Sequence, residues 1–135
     1  MAITINGVKV SKVEETREGI LVHAMQDKPE KTICPHCGAE VSRMRYTRYR
    51  TYKDSPLAFC QDTKIALKRV EAKCTCGKSF TVPCELIHEG SRMTSYLKSY
   101  IDFLLTNPYN LTNEEIAEEA GVSEKTIRRA KRGVL

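Results

Sequence analysis

The sequence predicts an α+β chain in which short antiparallel strands come first and three helices follow. Three observations carry that expectation. Two close cysteine pairs, Cys34-Pro35-His36-Cys37-Gly38 and Cys74-Thr75-Cys76-Gly77, stand on either side of a strand-like stretch. Alternating and β-branched segments fill most of the chain up to Val82. From Ser91 onward the apolar residues recur at helical spacing instead.

Residues 2–10 set Ile3, Ile5, Val8 and Val10 around Asn6-Gly7, a dipeptide suited to a tight hairpin turn. A second extended pair turns near Glu18-Gly19 and returns through Ile20-Leu21-Val22, with His23 read as a structural residue. Gln26 to Glu30 is polar, contains Pro29 and reads as a linker. Arg43 to Lys53 interleaves Met44, Tyr46, Tyr49 and Tyr52 with Arg43, Arg45, Arg48 and Arg50, a strand that Asp54-Ser55-Pro56 breaks. Lys64 to Cys74 is another strand, with Ile65 and Leu67 on one face and Lys64, Ala66, Lys68 and Val70 on the other. Cys60 reads as a small core residue, and Ser79 to Val82 as a short strand leading away.

Four soft ligands satisfy tetrahedral zinc, and two cysteine turns on two hairpins supply them. Proline stiffens the first turn, and a glycine after each pair tolerates positive φ. Cys34, Cys37, Cys74 and Cys76 are the candidate ligands of one structural zinc ion, and the middle of the chain is then a zinc ribbon. The second pair has one intervening residue where two are usual, so Cys84, His36 and His88 stand as substitutes for a ligand. Four thiolates leave no open position for water, so Lewis-acid hydrolysis is not expected.

Met93, Tyr96, Leu97, Tyr100, Ile101 and Leu104 form one apolar helical stripe, which Asn107-Pro108 stops. Thr112 or Asn113 can cap a second helix through Ala120, with Glu114 and Glu115 in its first turn, where the helix dipole favours anions. Gly121 ends it, and Ser123 caps a third helix running to about Arg132. Ala117 and Ala130 are small where two helices would cross, Gly121 suits a left-handed turn, and Val122 and Ile127 fill the shared core. That is the grammar of a helix-turn-helix. Glu118 and Glu119 extend the acidic face of the second helix, which is expected to turn away from phosphate.

Net charge is +5, and its distribution matters more. Residues 34–84 carry ten basic side chains against four acidic, and five further cations lie between Lys125 and Arg132. Islands of positive charge suit a polyanion. Lys125, Thr126, Arg128, Arg129 and Arg132 on the third helix, with Arg43, Arg45, Arg48 and Arg50 on the Arg/Tyr strand, are the candidate DNA contacts. An ordinary packed sheet face and charge compensation of the zinc thiolates are competing readings of that strand. Met1 to Val10 lacks the pattern of a signal peptide, and no stretch approaches the ~20 apolar residues of a membrane helix. A cytoplasmic, nucleoid-associated protein with cysteines in metal binding rather than disulfides is the expectation.

Cys34-Pro35-His36-Cys37-Gly38, the Arg/Tyr strand, Cys76-Gly77-Lys78-Ser79-Phe80-Thr81, Arg92-Met93-Thr94, Ile116-Ala117 and Gly121-Val122-Ser123 with Thr126-Ile127 together resemble the N-terminal region of insertion-sequence transposases of the ISL-three family. The resemblance spans residues 30 to 132. It implies recognition of terminal inverted repeats and a role in DNA recombination. In that family a separate acidic catalytic domain follows. The four aspartates here, Asp27, Asp54, Asp62 and Asp102, lie inside the recognition modules, which implies binding without strand transfer.

The expected organisation is an N-terminal β-hairpin segment (1–30), a zinc ribbon (31–88) and a helix-turn-helix domain (91–135). The expected function is sequence-specific binding of double-stranded DNA, not catalysis, with no membrane and no small-molecule substrate. A homodimer would suit inverted repeats. A stand-alone transcriptional regulator and a zinc-stabilised protein-interaction adaptor are the alternatives.

Overall fold

The structure is a computed structural model that describes residues 3–5, 7–55, 62–106 and 110–134, with side chains from residue 7 onward. Cys60, Asn107-Pro108, Asn6 and Pro56 lie outside the described residues. Among the described residues eight strands precede three helices. The strands are β1 (Ile3–Ile5), β2 (Val8–Thr16), β3 (Gly19–Gln26), β4 (Thr32–Ile33), β5 (Glu40–Val41), β6 (Met44–Asp54), β7 (Thr63–Lys73) and β8 (Ser79–Thr81). The helices are α1 (Ser95–Thr106), α2 (Asn113–Ala120) and α3 (Glu124–Lys131).

The main sheet has the order β1-β2-β3-β7-β6, with β8 also on β7. Both hairpin turns fall where the turn residues predict them, with Ile5 paired to Val8 and Thr16 to Gly19. β3 then lies parallel to β7, from Ile20 opposite Thr63 to Met25 opposite Lys68. This pairing joins the N-terminal hairpins to the ribbon strands in one sheet, and no local pattern announces it.

β7 is the centre of that sheet, with β6 along one side and β3 followed by β8 along the other. Between Lys68 and Glu71 neither β3 nor β8 pairs with it. Gln26 fills the gap: its side-chain oxygen accepts the Val70 N–H at 3.1 Å, and its amide donates to the carbonyls of Val82 and Pro83. The expected linker is corrected here. Gln26 is the last residue of β3 and is 3% exposed.

Arg69 occupies the same gap. It shares the face of Ile65 and Leu67 and is 2% exposed. Its guanidinium donates to Gln26 Oε1 at 3.0 Å, Tyr52 Oη at 3.2 Å, the Val82 carbonyl at 3.0 Å and Glu89 Oε1 at 2.8 Å. Desolvation works against its charge, but the bonds to Tyr52 and Glu89 outweigh burial and raise its pKa.

β6 carries a bulge between Tyr46 and Tyr49, where three steps on β6 match two on β7. The bulge reverses which β6 residues face each way. Beyond it Tyr52 sits opposite Ile65 and joins the core of Val8, Ile20, Val22, Ala24, Leu67, Leu86 and Ile87. Before it Met44 and Tyr46 sit opposite Ala72 and Val70 and join a second core, on the other face, around Cys34 and Cys74.

The three helices enclose a third core of Met93, Leu97, Ile101, Leu104, Ile116, Ala117, Ala120, Ile127 and Ala130. Thr112, the N-cap of α2, forms a capping box with Glu115. Ser123 caps α3 by accepting the Thr126 N–H. Between α2 and α3, Gly121 is left-handed at φ 70°, and a Cβ there would meet Asp62 Oδ1 at 3.2 Å. Asp62, just before β7, thus packs under the helical turn. The Lys53 N–H donates to the Arg92 carbonyl and the Thr94 N–H to the Lys53 carbonyl, while the His88 N–H donates to the Met93 carbonyl, tying the start of α1 to the end of β6.

Arg69→Ala is expected to lower stability by about 3 kcal/mol, because Gln26 and the Val82 carbonyl lose a buried partner. Urea denaturation with an unchanged midpoint would contradict that. Gly121→Ala is expected to cost about 1–2 kcal/mol, because a left-handed residue gains a Cβ beside Asp62. A melting temperature equal to the parent's would show that the turn relaxes freely.

Candidate metal centre and nucleic-acid surface

Each cysteine pair rides on a short hairpin, β4–β5 for the first and β7–β8 for the second. In both, the glycine after the second cysteine donates its N–H to the carbonyl of the first: Gly38 to Cys34 at 2.9 Å and Gly77 to Cys74 at 3.0 Å. Gly38 and Gly77 have φ of 75° and 90°. The closure is the same, with one residue fewer in the second turn. That explains how Cys74-Thr75-Cys76 serves without a second spacer.

The four sulfurs lie within 4.8 Å of one another. Cys34 Sγ is 3.9 Å from Cys76 Sγ, and Cys37 Sγ is 3.4 Å from Cys74 Sγ. Zinc–sulfur bonds of about 2.3 Å in a tetrahedron place sulfurs about 3.8 Å apart. The donor set therefore fits a structural zinc ion, held by Cys34, Cys37, Cys74 and Cys76. Cys34 and Cys74 are buried against Val41, Val70, Ala72 and Val82, while Cys37 and Cys76 are exposed. Cys84 belongs to the main sheet core and is no substitute ligand. Neither His36 nor His88 joins the sulfur cluster.

The thiols alone resist ionising together. Cys74 is lowered to about 7, chiefly by the Cys76 backbone N–H. The Ala39 backbone N–H favours the Cys37 thiolate, but the sulfurs of Cys74 and Cys34 outweigh it and raise Cys37 to about 11. A bound dication supplies the charge that lets all four deprotonate. Four thiolates on zinc would leave a formal −2, and the hollow beside Cys74 is lined by Arg43 and Lys73 against one carboxylate, Glu40.

The remaining cations fall in three places. On α3, at about 100° per residue, Lys125, Arg128, Arg129 and Arg132 share an arc of about 100°. All four are exposed, while Ile127 and Ala130 point inward. Arg128 has an exposed i,i+4 partner in Glu124 at 3.4 Å, a contact of little energy in solvent. The Thr126 hydroxyl bonds to Ser123 Oγ at 3.0 Å, so it first serves the cap. Glu114, Glu115, Glu118 and Glu119 are exposed on α2.

On β6, Arg45 lies opposite Glu71 and Arg50 opposite Leu67, so the bulge brings both to the Arg69 face of the sheet. Arg45 is tied to Glu71 by bonds of 3.0 and 3.2 Å. Arg48 is exposed in the bulge itself. The third group, on the opposite face, is Lys53 and Lys64, beside Arg129 and Thr126 of α3. Sequence reasoning missed this group, because its members come from three separate segments. It also missed Arg69, although strand alternation puts Arg69 with Ile65 and Leu67.

Cys34→Ser is expected to reduce bound zinc and lower the melting temperature. Full zinc content by elemental analysis, with unchanged melting, would remove Cys34 from the ligand set. Compared with known proteins, the chain matches no family model, no curated protein and no solved structure.

Proposed function

We propose that this protein binds double-stranded DNA in a sequence-specific manner through α3, with the zinc ribbon as a rigid support. The observation that carries the reading is the α2–Gly121–α3 unit with Lys125, Arg128, Arg129 and Arg132 on one exposed arc. Ala117 at 7% exposure and Ala120 at 0% let the two helices approach closely, and the solvent face of α3 stays free for a major groove. Arginine there can bond two acceptors of a guanine edge, and lysine can neutralise phosphate.

The finer reading is a transposase-like recognition module for terminal inverted repeats, without strand transfer from these residues. The motifs that resemble the ISL-three transposases support it: the first knuckle sits on β4–β5, the second on β7–β8, and Gly121-Val122-Ser123 forms the turn. A stand-alone regulator with the same parts would use α3 in the same way. An adaptor reading draws on a different observation: Tyr96 and Phe103, seven residues apart on α1, are 53% and 60% exposed. That face would take a protein partner.

Selection from random duplexes, followed by titration of the selected site, tests the main reading. Arg128→Ala is expected to weaken binding by about 1–3 kcal/mol and to relax preference at one base pair. Equal affinity of variant and parent would remove Arg128 from base reading. No duplex binding by the parent at low salt would favour the adaptor.

A further inference from the structure

A groove of about 520 Å³ separates the end of the β6–β7 hairpin from α3. Lys53, Lys64 and Arg129 line it together with hydroxyl residues that include Thr51, Ser123 and Thr126, and no carboxylate of the described residues does. Lys53 and Lys64 are direct cross-strand partners. Like charges placed opposite each other destabilise a sheet, so this pair calls for an anion nearby. The protein supplies little of one. Lys64 reaches only Glu18, at 3.9 Å, and that carboxylate is 85% exposed. Among the described residues Lys53 forms no ion pair. Asp62 is a carboxylate near Lys53: a Cβ on Gly121 would meet Asp62 Oδ1 at 3.2 Å and Lys53 Cε at 4.0 Å, yet the two side chains form no ion pair.

The cations are held in place. The Lys53 N–H donates to the Arg92 carbonyl at 2.8 Å, and the Thr94 N–H donates to the Lys53 carbonyl at 2.9 Å. Arg92 lends its backbone to this edge, while its guanidinium stacks 5.9 Å from the centre of the Tyr52 ring on the other face, beside Arg50. Arg129 enters from α3, on the arc assigned to DNA.

We propose that this groove grips a backbone phosphate of the duplex whose base edges α3 approaches, and that Lys53 and Lys64 are positioning contacts for it. The proposal rests on the DNA-binding reading above and adds the partner group and the sheet face that meets it. It places the phosphate grip on the face opposite Arg45 and Arg50, so those two arginines are not the contacts flanking α3.

The test is duplex binding measured against salt for the parent, for Lys53→Gln with Lys64→Gln, and for Arg45→Gln with Arg50→Gln. Each lost phosphate contact flattens the log–log salt slope by about 0.9. The groove pair is expected to flatten it by about 0.9 to 1.8, equally on the selected site and on random duplex, and the Arg45/Arg50 pair to change it less. Removing the opposed lysines is also expected to leave melting unchanged or raised, with zinc content intact. Should the double variant fold poorly, Lys64→Gln alone carries the same comparison. A parent slope retained in the folded groove variants overturns the phosphate grip and leaves α3 binding standing. A parent that binds no duplex at any salt overturns both.

Discussion

The buried guanidinium of Arg69 is the interaction on which the arrangement of the whole molecule depends. It lies where the centre of the sheet changes partner, with β3 ending and β8 not yet begun. Four donated bonds reach Gln26 of β3, Tyr52 of β6, the carbonyl of Val82 beyond β8, and Glu89 in the segment that leads to α1. No apolar side chain could satisfy the backbone carbonyl and the amide that meet there. A buried charge is tolerated because each of these partners is aligned to it, and Glu89 also accepts the Cys84 N–H. The N-terminal hairpins, the ribbon and the helical unit are thereby oriented relative to one another.

Around this centre the β6–β7 hairpin works as a strut roughly 30 Å long. The cysteine cluster closes one end, where Lys73 bonds to Arg43 and the chain enters Cys74. The helical unit closes the other, where Lys53 bonds to Arg92 and Thr94, and Asp62 packs under Gly121. Zinc therefore stabilises a local core far from α3. Its contribution there is stiffness of the strut. The bulge in β6 gives the strut two chemically different faces. One carries Arg45 and Arg50, the other Lys53 and Lys64.

Charge compensation separates the basic residues more sharply than sequence position does. Arg45 is bound to Glu71, Arg69 to Glu89, and Arg43 lies beside the thiolates. These cations have work within the protein. The arc of α3 and the opposed pair Lys53 and Lys64 have much weaker internal partners, and they stand on neighbouring elements. An uncompensated cluster is where a polyanion gains most, since its approach removes a repulsion the fold otherwise retains.

Much of this molecule was legible in its sequence because the signals are local. The cysteine turns with their glycines, the Glu18-Gly19 turn, the caps at Thr112 and Ser123, and the buried Leu97, Ile101 and Leu104 each depend on residues a few positions apart, although Tyr96 of the expected stripe is exposed. Such spacing determines turn, helix and ligand geometry wherever the segment lies. The parallel pairing of β3 with β7, the burial of Gln26 and Arg69, the bulge that divides the arginines, and the meeting of Lys53, Lys64 and Arg129 were decided only by tertiary structure. Each joins segments tens of residues apart, and periodicity carries no information on which distant strand will supply a partner. The sequence by itself determined which elements form and that four cysteines could hold a metal; packing alone decided which face of the sheet the third helix stands beside.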